Sequence, residues 1–273
     1  MHRCAVLLAV GVLVLIATGA LLTGMIRPLP GGPPATAPVE NPVLLRWIHQ
    51  GLAGAVAILA ISLAILASPG KNRVAAWLAA GFVLMDAVSG MLPPLAGVLH
   101  AVLAPLVFSS AAAMVVLTSK DSQSPPVPVE HASTLVVRLA VWVPVLLVVQ
   151  IALGAGFRHD ALGVIWHILN ALIAMMAILV LGVSVLRQYP GHPTLRPAAL
   201  VLLIVTSVQV LLGFAVYVTV ILVSEKNMAL TVLSAVHVVT GSLTVGASVV
   251  LTIQLRTTTT PKIRRGGTIR NTV

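Results

Sequence analysis

The run GVIWHILNALIAMMAILVLGVSVL, residues 163–186, decides the fold. It carries no Asp, Glu, Lys or Arg, and its hydropathy is continuous rather than alternating. As a helix rising about 1.5 Å per residue it spans the roughly 30 Å hydrocarbon core of a bilayer. A backbone in lipid must satisfy its own hydrogen bonds, so such a run reads as a helix and not as a barrel strand. His167 stands close to its start, and an imidazole in hydrocarbon costs free energy unless its ring nitrogens find partners.

Seven further runs share this character, near residues 5–24, 47–67, 74–92, 95–118, 138–156, 198–223 and 229–255. Apolar residues make up 59% of the chain and charged residues 8%, with a mean hydropathy of +1.09, which excludes a soluble domain. The expected fold is an all-α integral membrane protein with eight transmembrane helices. The first run begins like a signal peptide, but it is long enough to span and lacks a clear small-x-small cleavage site, so it is read as the first helix.

The sixteen Lys and Arg residues divide unevenly between the two sides of an eight-helix topology. Arg3, Lys71, Arg73, Lys120, Arg138, Arg187, Arg196, Arg256, Lys262, Arg264, Arg265 and Arg270 fall on one side; Arg27, Arg46, Arg158 and Lys226 fall on the other. This places both termini in the cytoplasm of a cell whose plasma (inner) membrane holds the chain. The net charge of +10 is then a topology signal. The basic tail, residues 257–273, meets anionic lipid headgroups, and nothing in the chain reads as nucleic-acid binding.

Residues 119–137, with their Ser, Pro and charged residues, have linker composition. They separate an N-terminal four-helix bundle (1–118) from a C-terminal one (138–256), and the halves read as a diverged repeat. Asp86-Ala-Val-Ser-Gly90, Gln150-Ile-Ala-Leu-Gly154 and Gln209-Val-Leu-Leu-Gly213 place a polar residue four before a glycine on three odd-numbered helices. Residues at that spacing share a helix face, where glycine admits a close neighbour and the polar group bonds across the contact. For Gln150 and Gln209, helix glue is a sufficient role. Asp86 needs a partner or a proton, which leaves structural pairing and chemistry both open.

His49, His100, His167 and His237 each lie a few residues inside the start of an even-numbered run, two in each half, all toward the outer face. The repeat aligns His49 with His167 and His100 with His237, so each half owns one pair. Two opposed imidazoles from neighbouring helices of a four-helix bundle can hold heme iron by bis-His ligation. Zinc and copper fit less well, because each pair lacks a third or fourth N, S or carboxylate ligand. Cys4 is the only cysteine, which rules out an intramolecular disulfide and a cysteine-based metal site. His2, His131, His159 and His192 lie in loops or cytoplasmic segments and stay outside the ligand set.

Over most of its length the chain resembles the heme A synthase family. Leu45-Arg46-Trp47-Ile48-His49-Gln50 is similar to the start of that family's second helix, and Leu233-Ser-Ala-Val-His237-Val-Val-Thr-Gly241 to its last. Gln150-Ile-Ala-Leu-Gly154-Ala-Gly-Phe-Arg158-His159 is similar to its fifth helix and following loop. The resemblance implies two pseudo-symmetric four-helix bundles and oxidation of the heme O methyl group toward heme A, in support of cytochrome oxidase assembly. It implies that His49 and His100 frame the reacting site, while His167 and His237 ligate an accessory heme b. A heme O synthase and an electron donor are the partners it implies, and oligomeric state is left open.

The chain also departs from that family. Where the family carries a glutamate three residues before the second-helix histidine, this chain has Arg46, which replaces a proton acceptor by a fixed cation. Glu40 lies in the preceding loop, and the loop from Arg27 to Glu40 lacks the cysteine pair of some members. Asp86 is the carboxylate that could serve in place of the glutamate. Arg46, Arg158, Arg27 and Lys226 are either interfacial side chains or neutralise heme propionates. Three readings follow: a heme A synthase-like oxidoreductase, a non-catalytic bis-heme b protein for electron transfer or oxidase assembly, and a helical-repeat transporter with histidine proton relays.

Overall fold

The computed structural model describes residues 1–26, 42–92, 96–120, 133–222 and 227–259. Eight helices follow one another: α1 His2–Ile26, α2 Val43–Ala67, α3 Arg73–Ser89, α4 Ala96–Thr118, α5 Thr134–Arg158, α6 Val164–Gln188, α7 Leu195–Leu222 and α8 Met228–Thr259. All eight expected runs are helices, and there is no strand among the described residues. Arg27, Glu40, His131, Lys226 and most of the basic tail lie outside the described residues.

Seven helices are long and apolar enough to cross a membrane. The eighth, α3, has 17 residues and measures about 26 Å, a turn short of a typical hydrocarbon core. It ends at Ser89 rather than near 92, with Gly90 as its C-cap. Pro93 and Pro94 follow immediately in the sequence and disfavour helical backbone just before them.

The helix termini are closed locally. Ser133 accepts from Val136 N at 3.3 Å, Asn227 Oδ1 from Leu230 N at 2.8 Å, and His192 Nδ1 from Leu195 N at 3.3 Å. At the end of α5 the backbone turns left-handed at Asp160, φ 58°. Ala161 N then reaches Gly156 O at 2.8 Å and Asp160 N reaches Phe157 O at 3.1 Å, a Schellman closure with aspartate in the place usually held by glycine. Within the helices, hydroxyls such as Thr23, Ser109, Thr206 and Thr244 donate to the carbonyl four residues earlier, which satisfies them without water.

Packing follows the chain order. α1 contacts α2 and α4, α2 contacts α3, and α3 contacts α4; likewise α5 contacts α6 and α8, α6 contacts α7, and α7 contacts α8. Contacts between these two sets run through α4 and α8, α1 and α8, and α4 and α5. Small residues make this packing close: Ala76, Ala79 and Ala80 of α3 are each 1% exposed. α8 serves both sets. Its Val238, Val239 and Leu243 pack on the core of α1–α4, while Val245, Leu251 and Leu255 belong to the core of α5–α8. Large apolar side chains such as Ile58, Leu78, Ile173 and Phe214 point outward, as lipid contact requires.

Two helices contain an internal proline, Pro105 in α4 and Pro144 in α5. Pro144 has no N–H for the Ala140 carbonyl one turn earlier, and Thr252 of α8 donates its hydroxyl to that carbonyl instead.

Candidate functional site

The four histidines lie within the first three turns of α2, α4, α6 and α8. Each ring rests on a glycine of the odd-numbered helix before it. A Cβ on Gly19 would stand 2.9 Å from His49 Cε1, one on Gly154 2.8 Å from His167 Cε1, and one on Gly213 2.9 Å from His237 Cε1. On Gly90 it would stand 3.2 Å from His100 Cε1. Three of these distances are closer than real Cβ atoms approach and the fourth is tight, so the rings need glycine beneath them.

The residue four before each glycine supplies the second contact. Asp86 O accepts from His100 Nδ1 at 3.1 Å, and Gln150 O accepts from His167 Nδ1 at 3.1 Å. The same register brings His49 to the Leu15 carbonyl and His237 to the Gln209 carbonyl. His49 Nδ1 lies 3.0 Å from Thr18 Oγ1, whose own hydroxyl donates to Leu15 O at 2.9 Å. The ring N–H of His49 therefore donates to the Thr18 oxygen. His237 Nδ1 is buried and has no hydrogen-bond partner of good geometry among the described residues. Donation from Nδ1 of His49, His100 and His167 selects the tautomer whose Nε2 carries the lone pair, the state in which histidine binds a metal.

The rings meet in pairs. His49 and His100 have centroids 6.4 Å apart with planes at 87°, and His167 and His237 have centroids 6.5 Å apart with planes at 75°. Within each set, the helices carrying a pair have no close backbone approach among the described residues and meet through the rings; α1 and α3 flank one pair, α5 and α7 the other. Both pairs therefore lie across the middle of four helices, and all four residues are half-buried.

The surroundings of the pairs differ. Asp86 is 5% exposed, and its Oδ1 lies 2.8 Å from His100 Nδ1. At the second pair the corresponding groups are amides. Asn170 Nδ2 donates to Gln150 Oε1 at 2.8 Å and to Leu146 O at 3.2 Å. With its oxygen held there, Gln150 turns its amide nitrogen toward the His167 ring, 3.1 Å from Nδ1 and 3.2 Å from Nε2. Gln209 Nε2 is 3.3 Å from His237 Nε2, and its side chain lies on Gly241 of α8.

Arg46 lies one turn before His49 on α2, but its side chain is exposed. Arg158, at the end of α5, crosses to the other set of helices and donates to Ala20 O at 3.2 Å, next to Gly19. His159 crosses too: its ring lies on Gly97 of α4, one turn before His100, where a Cβ would collide with it. Arg158 and His159 thus both reach α1 and α4 beside the first pair, and Arg158 also lies close enough to His237 to act on it electrostatically. Among the described residues no three of His, Cys, Asp and Glu assemble into a metal-binding group.

Sequence reasoning passed over Gly19, Thr18, Asn170 and the crossing role of His159. Asn170 had a signal, being one turn after His167 in an otherwise apolar run. Gly19 had little, because the position four before it is Leu15 and the polar-to-glycine pattern of the other odd helices is broken there.

The length and composition of the helices are those of a multi-pass membrane protein. No protein-family model matches the chain, and no curated protein matches it.

Proposed function

We propose that this chain is a heme A synthase-like membrane oxidoreductase, built as two pseudo-symmetric four-helix bundles in the plasma membrane with both termini cytoplasmic. In this reading His49 and His100 frame the site where heme O is oxidised, and His167 and His237 hold heme b. The observation that carries it is the matched separation of the two ring pairs, 6.4 and 6.5 Å. A nitrogen–metal bond of about 2 Å on each side, plus the distance from nitrogen to ring centre, would put two imidazoles that share a metal roughly 6 Å apart, so the separation within each pair supports His49 with His100, and His167 with His237, as the residues that would hold one.

When bound, heme supplies a redox-active iron. The chain's own residues do the rest. The glycine seats and backbone carbonyls fix ring position and tautomer, and Gln150 and Gln209 keep polar groups beside the second pair. Arg158 brings a cation to the rim of the first, where a propionate would be stabilised. Asp86 is the carboxylate beside the first pair, in a chain whose Arg46 occupies the place of the family's glutamate.

The exposed Arg46 favours a second reading, a bis-heme b protein for electron transfer or oxidase assembly that does no chemistry on heme. One experiment separates the two: pyridine hemochrome and chromatography of extracted heme on the purified chain, co-expressed with a heme O synthase. Two hemes per chain, with one lost in His49→Ala and one in His167→Ala, are expected, along with heme A in the extract. Heme b alone, with heme A appearing only in Arg46→Glu, would establish the second reading. A chain with no Soret band would overturn both and leave the transporter.

A further inference from the structure

The position four before the seating glycine is occupied in turn by Leu15, Asp86, Gln150 and Gln209. Only one of these four equivalent positions carries an acid. Asp86 is buried; its backbone carbonyl stands 3.1 Å from His100 Nδ1 and accepts from it, and its Oδ1 stands 2.8 Å from the same nitrogen as a charge contact without a well-aligned hydrogen bond. Ser89 Oγ donates to the Asp86 carbonyl at 2.8 Å and lies 3.5 Å from His100 Nδ1, so the end of α3 is wrapped around one ring nitrogen. No lysine or arginine forms an ion pair with this carboxylate among the described residues. At the second pair, Gln150 and Gln209 present neutral amides to the rings.

On the heme reading, we infer that Asp86 is a positioning residue that makes the two sites unequal in potential, holding the His49–His100 site at the lower value. A carboxylate on the outer nitrogen of a metal-bound histidine fixes its orientation and raises its basicity. A more basic ligand favours the more positive metal state, and negative charge in a low-dielectric interior acts in the same direction. An amide does neither. The sites that the fold makes alike in geometry are thus set apart by one side chain, and electrons run from the Asp86 site toward the amide-lined one.

The test is a potentiometric titration of the full chain, purified in detergent with heme b supplied during expression. Wild type is expected to titrate as two one-electron components. Asp86→Asn raises the lower component by at least tenfold in its reduction equilibrium, about 59 mV, and leaves the upper one in place. The component that moves is the one absent from His100→Ala and retained in His167→Ala. Gln150→Glu makes the converse change, lowering the component that His167→Ala removes, and it decides the matter if Asp86→Asn binds no heme. Two coincident midpoints in wild type, unmoved midpoints in both variants, or movement of the wrong component would overturn the inference while leaving heme binding intact. Absence of heme from wild type, seen by pyridine hemochrome, would overturn the functional reading and this inference with it.

Discussion

A histidine ring at van der Waals distance from a helix backbone is held by what its neighbour lacks. Gly154 and Gly81 are both helical, yet a Cβ on Gly154 meets His167 Cε1 at 2.8 Å, whereas one on Gly81 meets nothing within 4 Å. Gly154→Ala should therefore cost about 1–3 kcal/mol of overpacking and, on the proposed heme reading, cut bound heme from two to one per chain. Gly81→Ala should be neutral or stabilising by up to about 1 kcal/mol, from helix propensity alone. Thermal unfolding in detergent with hemochrome quantitation checks both, and equal behaviour of the two variants would show that the seat does not govern the ring. At this scale the sequence was informative about which histidines the fold brings together, because ionisable residues stand out against an apolar background. It was silent on what holds them. A glycine seat works through an absent side chain, and a backbone carbonyl belongs to every residue, so neither leaves a chemical mark in composition. Asp86 could be read as needing a partner, but that the partner is His100 depended on how α3 ends.

Helices were the most legible level, since each run's length and continuity are direct consequences of crossing hydrocarbon. What departed was the end of α3, where Pro93 and Pro94 outweigh the apolar residues that precede them. The contact between α5 and α8 could not be read from the chain, because a proline inside a run signals a missing donor without saying who replaces it. Thr252 does, through the Ala140 carbonyl. Thr252→Val is expected to destabilise the protein by about 1 kcal/mol, in the range of hydrogen bonds between membrane helices. In a Pro144→Ala background, where residue 144 has its own N–H, the same substitution should cost less. A double-mutant cycle on thermal stability measures the difference, and an unchanged cost in the two backgrounds would refute the link between the proline and the threonine.

For the whole molecule, the number of crossings fixes which ends share a compartment. With α3 a turn short, mismatch is accommodated by local thinning of the bilayer or by tilt of its neighbours, at modest cost. Eight crossings remain the expectation, and single cysteines in a Cys4→Ser background report on it. Gly70→Cys and Met91→Cys, both at exposed positions flanking α3, should label with a membrane-impermeant maleimide from opposite sides. Labelling from the same side would leave seven crossings and put the termini in different compartments. The expected linker at residues 119–137 gives way to α5 already at Thr134, and the use of α8 by both sets of helices was not legible, because its buried Thr240, Ser242, Thr244 and Ser248 are unremarkable in isolation. The seating of every histidine by the helix just before it has a consequence for biogenesis. Each helical hairpin carries both its histidine and that ring's glycine seat, so a nascent chain leaving the ribosome can settle a ring as soon as two consecutive segments have entered the bilayer. The first pair would then be assembled once α4 has inserted, while half of the protein is still being translated.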